Sequence, residues 1–478
     1  MLDLVVVGAG IAGLIAGNRA AELGCRVTVL EAGTDRYLCN SRIATGSLNF
    51  AHSNPELPPA QLIDAINADT EGHADPALAA AIAAVAGRGL RWLKDNGAQF
   101  VRQEMQGKMS WMLAPPRSLV PGLDWRGRGA DVLLDVLAER LKARGGELMT
   151  GTSAQSLLVK EGHVCGVSAQ TSGKTVSIDA RNVVLADGGF QGNAKMVGRY
   201  ICARPEKLVQ RSAGTGLGDG IRMASEIGAR LVDMNRFYGH LLSRAAFQNA
   251  SLWPYPTLDS MTNGSILVGS DGNRLFDEGL GGITLSNLIA EMDDPTSTWI
   301  IFDEEIWTTT GYDEVVPANP HLIEAGGTVI SAKTIEELAA KAGLPAGPLA
   351  STVAAYNNAV ESGRGDQLVP PRSLGRRFGV IRNATERVPV RPVRRAPFYA
   401  APLAVGITCT MGGLAIDVNA RVIREDGKPI PGLYAAGQTS AGLEGGPIAG
   451  YIGGLAKSYC TALLAAEAIA AGQDGRLS

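Results

Sequence analysis

Three glycines and one carboxylate at fixed spacing carry the first chemistry in this chain. Gly8, Gly10 and Gly13 follow the apolar run Val5-Val6-Val7, and Glu31 closes a second apolar run, Val27-Thr28-Val29-Leu30. A strand, a tight glycine turn, a helix opening on that turn and a second strand ending in an acid form a set that binds an adenine dinucleotide. Gly8 permits the turn, Gly10 lets the backbone approach a pyrophosphate, and Gly13 lets the helix pack on the strand. The free N–H groups at the helix start, with the helix dipole behind them, attract the diphosphate. Glu31 is placed to accept hydrogen bonds from a ribose diol. The plain alternative is a chance glycine turn in an ordinary α/β protein.

Other reactive residue types show no such order. Cys25, Cys39, Cys165, Cys202, Cys409 and Cys460 are scattered, with no CxxC and no zinc-type spacing, and read as buried or idle thiols. His52, His73, His163, His240 and His321 show no metal-ligand pairing. No metal, iron–sulfur cluster or covalently held haem is expected. A net charge of −3 with 19% charged residues offers no basic surface for nucleic acid or an anionic membrane. No apolar run reaches membrane-spanning length. Residues 1–16 lack a basic leader and read as the first strand, so the expected location is the cytoplasm.

The elements that must position these residues follow from periodicity. The 478 residues allow two or three domains. Residues 77–97 read as an alanine-rich helix. Residues 127–145 read as an amphipathic helix through Leu133, Leu134, Leu137 and Leu141. Strands are expected near 147–150, 154–160, 164–170 and 176–179. Asn182-Val183-Val184-Leu185-Ala186-Asp187-Gly188-Gly189 then reads as a buried strand running into a glycine turn. From about 231 the chain holds more Trp, Pro and Asn and a helical pair at 334–342 and 346–362, the texture of an inserted domain. From about 396 the first texture returns, ending in an alanine-rich helix at 453–471 and a loose tail at 472–478.

In this order the pieces resemble a known family of flavoproteins, those related to fumarate reductase, tricarballylate dehydrogenase and 3-ketosteroid Δ1-dehydrogenase. The resemblance rests on the N-terminal glycine motif with Glu31, Ala186-Asp187-Gly188-Gly189-Phe190, Gly214-Thr215-Gly216-Leu217-Gly218-Asp219-Gly220, Gly272-Asn273-Arg274-Leu275-Phe276-Asp277-Glu278, Thr410-Met411-Gly412-Gly413 and Gly432-Leu433-Tyr434-Ala435-Ala436-Gly437. It implies an α/β fold: a discontinuous, Rossmann-like (GR2-type) FAD-binding domain at 1–230 and 396–478, with an inserted α+β capping domain at 231–395 that carries substrate.

The resemblance also implies the FAD contacts. Gly8, Gly10, Ala12, Gly13, Glu31 and Ala32 would hold the ADP half. Asn40, Ser41, Thr45, Gly46 and Ser47 would run along the flavin edge. Ala154 matches an adenine-side backbone contact. Ala186, Gly188, Gly189 and Asp219 fall in further cofactor segments, with Asp219 near the flavin. Gly437 and Gln438 would face the ribityl chain, and Gly445, Gly446 and Ile448 the anion-stabilising end of the reduced flavin. Some relatives carry a histidine bonded to FAD where this chain has Asn40, so dissociable FAD is expected. Gln438 replaces a usual Glu, and an amide still makes those hydrogen bonds.

Departures bear on the reaction. Gly282 stands where fumarate reductases use an arginine as proton donor, Leu443 near their second clamping arginine, and Cys409 for a histidine. His240 keeps its matching place in Asp233-Met234-Asn235-Arg236-Phe237-Tyr238-Gly239-His240. A dicarboxylate needs two cationic clamps, so fumarate is not the expected substrate. The candidate catalytic residues are His240, Tyr238, Tyr255, Tyr451 and Arg244. Each has a plainer reading: a structural histidine, packing tyrosines, a solvated arginine. Arg42 and Arg117 are alternative carboxylate clamps. Glu444 is a base or a helix-start charge, and Trp111 and Trp125 cover the pocket or cap the surface.

The expected function is an FAD-dependent CH–CH dehydrogenase of a small carbonyl or carboxylate compound, with an external electron acceptor. Reduction of the alkene is the same site run backwards. A ketone desaturase of the ketosteroid or oxocyclohexane type, an FAD-binding protein without turnover, and an NAD(P)-linked enzyme are the alternatives.

Overall fold

Short Val- and Leu-rich runs buried on both faces have one stable place, the middle of a parallel sheet. Leu4–Val7 takes it in the computed structural model, which describes residues 1–105, 108–376, 387–388 and 390–474. The end of the tail read as loose lies outside the described residues. Six strands line up as Arg421–Ile423, Pro429–Ala435, Val183–Leu185, Leu4–Val7, Val27–Leu30 and Glu147–Met149. All neighbours run parallel except the first pair. Val5 faces Val183 on one side and Thr28 on the other. The strand order therefore reverses at Leu4–Val7, which opens a ligand-binding crevice at its C-terminal end.

Helices cover this sheet. Ile11–Glu22 buries Ile11, Leu14 and Ile15. Asn18 ties it to the helix Gly129–Ala143 by donating to the Leu137 carbonyl at 2.8 Å. The final helix Gly454–Asp474 locks onto Pro76–Asp95 through the Tyr459 hydroxyl, 2.9 Å from the Ala86 carbonyl. Asp75 caps Pro76–Asp95 by accepting from the Leu78 amide. Thr152–Lys160, His163–Thr171 and Lys174–Asp179 form an antiparallel three-stranded sheet.

A second six-stranded sheet is organised by Phe398–Thr410. It pairs antiparallel with Phe237–Ser243, Trp299–Asp303 and Ile330–Ala332, and parallel with Leu208–Gln210. Ile266–Val268 adds to Trp299–Asp303. The sequence reading places no strand at 208–210 or 398–410. The first is too short for a period, and the second is buried almost throughout, so it shows none. The helical pair appears as Ile335–Ala342, capped by Thr334, and Ala346–Glu361. Among the described residues no helix is long and apolar enough to cross a membrane.

Candidate active site

The crevice beside Leu4–Val7 is shaped for a tightly held phosphate backbone. Gly8 adopts φ +94°, and a Cβ on Gly13 would stand 1.8 Å from the Gly8 carbonyl oxygen, so the turn tolerates no side chain there. The following helix has no side-chain N-cap, which leaves its positive end for a ligand. Ser41 reaches this end and accepts from the Ile11 amide at 3.0 Å. Glu31 accepts from the amides of Ala9 (3.0 Å) and Gly33 (2.8 Å), and burial raises its pKa. Ala32 beside it is exposed, and Ala12 packs against Gly437. These residues fit an ADP moiety.

From there the chain reaches a cavity of about 310 Å³. Asn40, Ser41, Thr45, Ser47 and Gln438 line it, and so do Tyr238, His240, Tyr255 and Tyr451. Residues far apart in sequence, chosen for cofactor and for catalysis, thus share one chamber. Gly46 backs its wall, with Leu113 beside it. Asn40 crosses between segments: its amide donates to the Thr408 carbonyl at 2.9 Å and its oxygen accepts from the Ala213 amide at 2.8 Å. Gln438 accepts at 2.9 Å from Lys457, which pairs with Glu444 at 3.0 Å, both fully buried. Glu444 is therefore the partner of a buried lysine, neither a free base nor a helix-start charge.

Other cofactor candidates sit apart from this chamber. Ala154 is buried near the start of Thr152–Lys160, and Ala186 is buried just after Val183–Leu185. Gly188 donates to Thr439 at 2.9 Å, and Gly189 packs on Thr410. Asp219 is half-buried at the start of Asp219–Ser225. The acid beside it is Asp187, partly buried, which accepts from the Gly220 amide at 2.8 Å and is pushed up to about 6 by desolvation. Gly445 and Gly446 form a turn closed by Gly450 and packed on Asp233 and His73. Ile448 lines a smaller chamber of about 60 Å³.

The reactive groups are organised by one strand. Tyr238 and His240 lie two residues apart on Phe237–Ser243 and project on the same face. His240 Nε2 lies 2.9 Å from the Tyr238 hydroxyl. His240 Nδ1 lies 2.5 Å from Asp259 Oδ2, and Asp259 Oδ1 accepts from the Leu241 amide at 2.8 Å. Burial pushes the His240 pKa down, against the opposing pull of Asp259. A neutral ring donating from Nδ1 to Asp259 and accepting at Nε2 from Tyr238 satisfies every group. Burial pushes Tyr238 up, so its hydroxyl is protonated. Tyr451 stacks on Tyr238 with ring centroids 3.9 Å apart, and its oxygen accepts from the Gly454 amide at 2.6 Å.

Two guanidinium groups complete the chamber. Arg117 and Arg211 both line it, are 8% and 7% exposed, and flank the Tyr255 ring at 5.8 and 5.6 Å. Arg211 bonds the Pro254 carbonyl (3.1 Å) and the Thr408 hydroxyl (2.8 Å). Among the described residues Arg117 reaches only the carbonyls of Ile43 and Gly122, and its Nε is buried without a partner. Among the described residues neither has a carboxylate within 4.0 Å.

Arg244 is not brought here: it bonds the carbonyls of Thr298 and Leu403 and lies over Trp299. Arg42 is likewise committed, to Asp131 and Asp135. Trp111 bonds Glu56 away from the chamber. The sequence reading misses Arg211, Asp259 and Glu314, all on the chamber wall. Arg211 has a faint signal in preceding the Gly214 motif by three; the two acids have none.

Residues 3–447 match the family model described as an FAD binding domain. The chain belongs to this FAD-binding family. It is 31% identical over 362 residues to NADH:acrylate oxidoreductase of Vibrio harveyi, covering 74% of this chain and 33% of that protein. This chain thus spans about a third of that relative's length. It is 28% identical to vinyl phenol reductase of Lactiplantibacillus plantarum, covering 93% and 90% of the two chains. The solved 3-ketosteroid Δ1-dehydrogenase of Sterolibacterium denitrificans shares the fold at a TM-score of 0.75 and 21% identity, over 98% of this chain and 99% of that one.

Proposed function

We propose that this flavoprotein interconverts a carboxylic acid and its α,β-unsaturated counterpart. The observation that carries this reading is the pair Arg117 and Arg211, buried on the chamber wall with no carboxylate partner among the described residues. Buried guanidinium groups without an anion are costly, and a substrate carboxylate supplies it in bidentate form. The names of the Vibrio harveyi and Lactiplantibacillus plantarum relatives, an acrylate oxidoreductase and a vinyl phenol reductase, agree with carbon–carbon double-bond chemistry.

FAD, when bound, takes up or returns the hydride. The remaining step is one proton at the carbon next to the carboxylate. In dehydrogenation the Tyr238 oxygen accepts that proton while its own hydrogen passes to His240 Nε2, and Asp259 balances the imidazolium that forms. In reduction the same proton returns along the same chain. The distances of 2.9 and 2.5 Å suit such a transfer. In this reading residues 1–230 and 396–478 hold the cofactor, non-covalently beside Asn40, 231–395 form the lid, and electrons exchange with an external partner.

Tyr451 favours a second reading. Its oxygen is used by Gly454, which leaves the hydroxyl hydrogen for a ketone oxygen, beside Tyr238 as base. Anaerobic mixing of the FAD-loaded protein with saturated acids and with cyclic ketones separates the two. Bleaching of the oxidised flavin band by an acid, lost in Arg211→Ala, supports the acid; bleaching by ketones alone overturns it.

A further inference from the structure

Glu314 has a use that the proton chain and the arginine pair leave unexplained. It lines the main chamber on the segment next to Val315, and its Oε1 accepts from the Ser260 amide at 3.0 Å. The Ser260 side chain also hydrogen-bonds the carboxyl. The neighbouring acid Asp259 is taken up by His240 and the Leu241 amide, whereas the Glu314 carboxyl is bonded among the described residues only by Ser260 and keeps lone pairs for a further donor. Neither Arg117 nor Arg211 lies within 4.0 Å of it among the described residues, although an ion pair there would neutralise both poles. Burial and the Asp259 charge hold Glu314 well above the ordinary carboxylate range, which marks it as poorly compensated by the protein. The chamber thus has a cationic pole around Tyr255, an acceptor pole at Glu314, and apolar walls from Leu123, Trp253 and Leu455.

We propose that Glu314 selects acids whose far end carries a hydrogen-bond donor, a hydroxyl, an amine or a ring N–H. This rests on the carboxylate reading of Arg117 and Arg211. A site built to hydrogen-bond a substrate donor discriminates against the analogue lacking it, because its own polar group is then left unpaired. Glu314 is a specificity residue here and takes no part in the proton transfer.

The test is binding to the FAD-loaded full-length protein, read from the shift of the flavin absorbance band. The probes are matched pairs: crotonate with 4-hydroxycrotonate, and cinnamate with 4-hydroxycinnamate. The hydroxylated member of at least one pair is expected to bind about tenfold tighter. That ratio falls to near one in Glu314→Leu or Glu314→Ala and largely persists in Glu314→Gln, which keeps an acceptor. On the wild type, 4-methoxycinnamate is expected to bind no tighter than cinnamate, a comparison that needs no variant. Equal binding within both pairs, or a ratio that survives Glu314→Leu or Glu314→Ala, overturns the proposal. If Arg211→Ala then still weakens all the acids in parallel, the carboxylate reading stands without it. No binding by any acid, or acids insensitive to Arg211→Ala, overturns both.

Discussion

Replacing Asp259 by Asn tests the proton chain directly. The variant keeps the shape and one acceptor oxygen for His240 Nδ1, removes the charge 2.5 Å away, and turns the oxygen that accepts from the Leu241 amide into a donor. When His240 takes the proton passed on by Tyr238, Asp259 stabilises the imidazolium. Charge centres about 4 Å apart at an effective dielectric of about 20 interact by about 4 kcal/mol. Half-developed transfer in the transition state realises about 2 kcal/mol of that, a loss of about 30-fold, and complete transfer about 10³-fold. The assay is anaerobic stopped-flow bleaching of the bound flavin by a saturated acid. The rate at saturation is expected to fall by 30- to 1,000-fold with the half-saturating concentration little changed, because the arginine pair is intact. The pH profile moves as well. Dehydrogenation needs His240 neutral, so its rate rises as pH climbs through a pKa held below the ordinary histidine value by burial. Asp259 opposes that lowering, so the variant's limb shifts further toward acid. A fall of less than threefold, with the limb in place, refutes the chain.

Arg211→Ala is expected to raise the half-saturating concentration of the acid by about 10- to 150-fold, the worth of one or two hydrogen bonds to a charged group, and to lower the maximal rate less; steady-state kinetics check this. Gly13→Val places atoms inside the Gly8 carbonyl, so the purified variant is expected to be colourless at 450 nm while its far-ultraviolet dichroism stays near normal. Acid precipitation of the wild type is expected to leave the yellow flavin in the supernatant, because Asn40 offers no nucleophile for a covalent bond. Lys457→Met strands the Glu444 carboxylate in a fully buried site, a loss of about 3–5 kcal/mol, seen as a lower thermal midpoint that Lys457→Met with Glu444→Gln partly restores.

The nucleotide half of the fold was legible because its constraints are local. A glycine whose Cβ would collide with a carbonyl five residues away in a turn, and strands buried on both faces, leave their mark within thirty residues of sequence. The chamber was legible only in part. Tyr238 and His240 share a strand face, and a two-residue spacing shows that. Asp259 reaches the same face from the start of another helix, and Arg211 arrives beside a strand paired to residues almost two hundred positions later. Such meetings are set by tertiary pairing, and no periodicity records them. Arg244 shows the converse: its spacing after His240 looked catalytic, yet the chain turns into a 3₁₀ segment there and carries it to Trp299.

The missing arginine at position 282 looked like lost chemistry, but the packing gives it another meaning. A Cβ on Gly282 would stand 2.0–2.5 Å from the carboxylate of Asp259. Any side chain at 282 and the present place of Asp259 therefore exclude each other. A guanidinium projecting from 282 would also displace the one group that holds His240 in its tautomer. The glycine is what admits a tyrosine–histidine–aspartate chain in a family whose resemblance implied an arginine. With two buried guanidiniums beside Tyr255, the two tasks that arginines would share are separate in the proposed reading: cations would hold the carboxylate, and the Tyr238–His240–Asp259 chain would move the proton. With its pKa lowered by burial, His240 rests neutral with Nε2 free to take the proton that dehydrogenation would pass on from Tyr238, and the imidazolium so formed would give it back readily in the reverse direction.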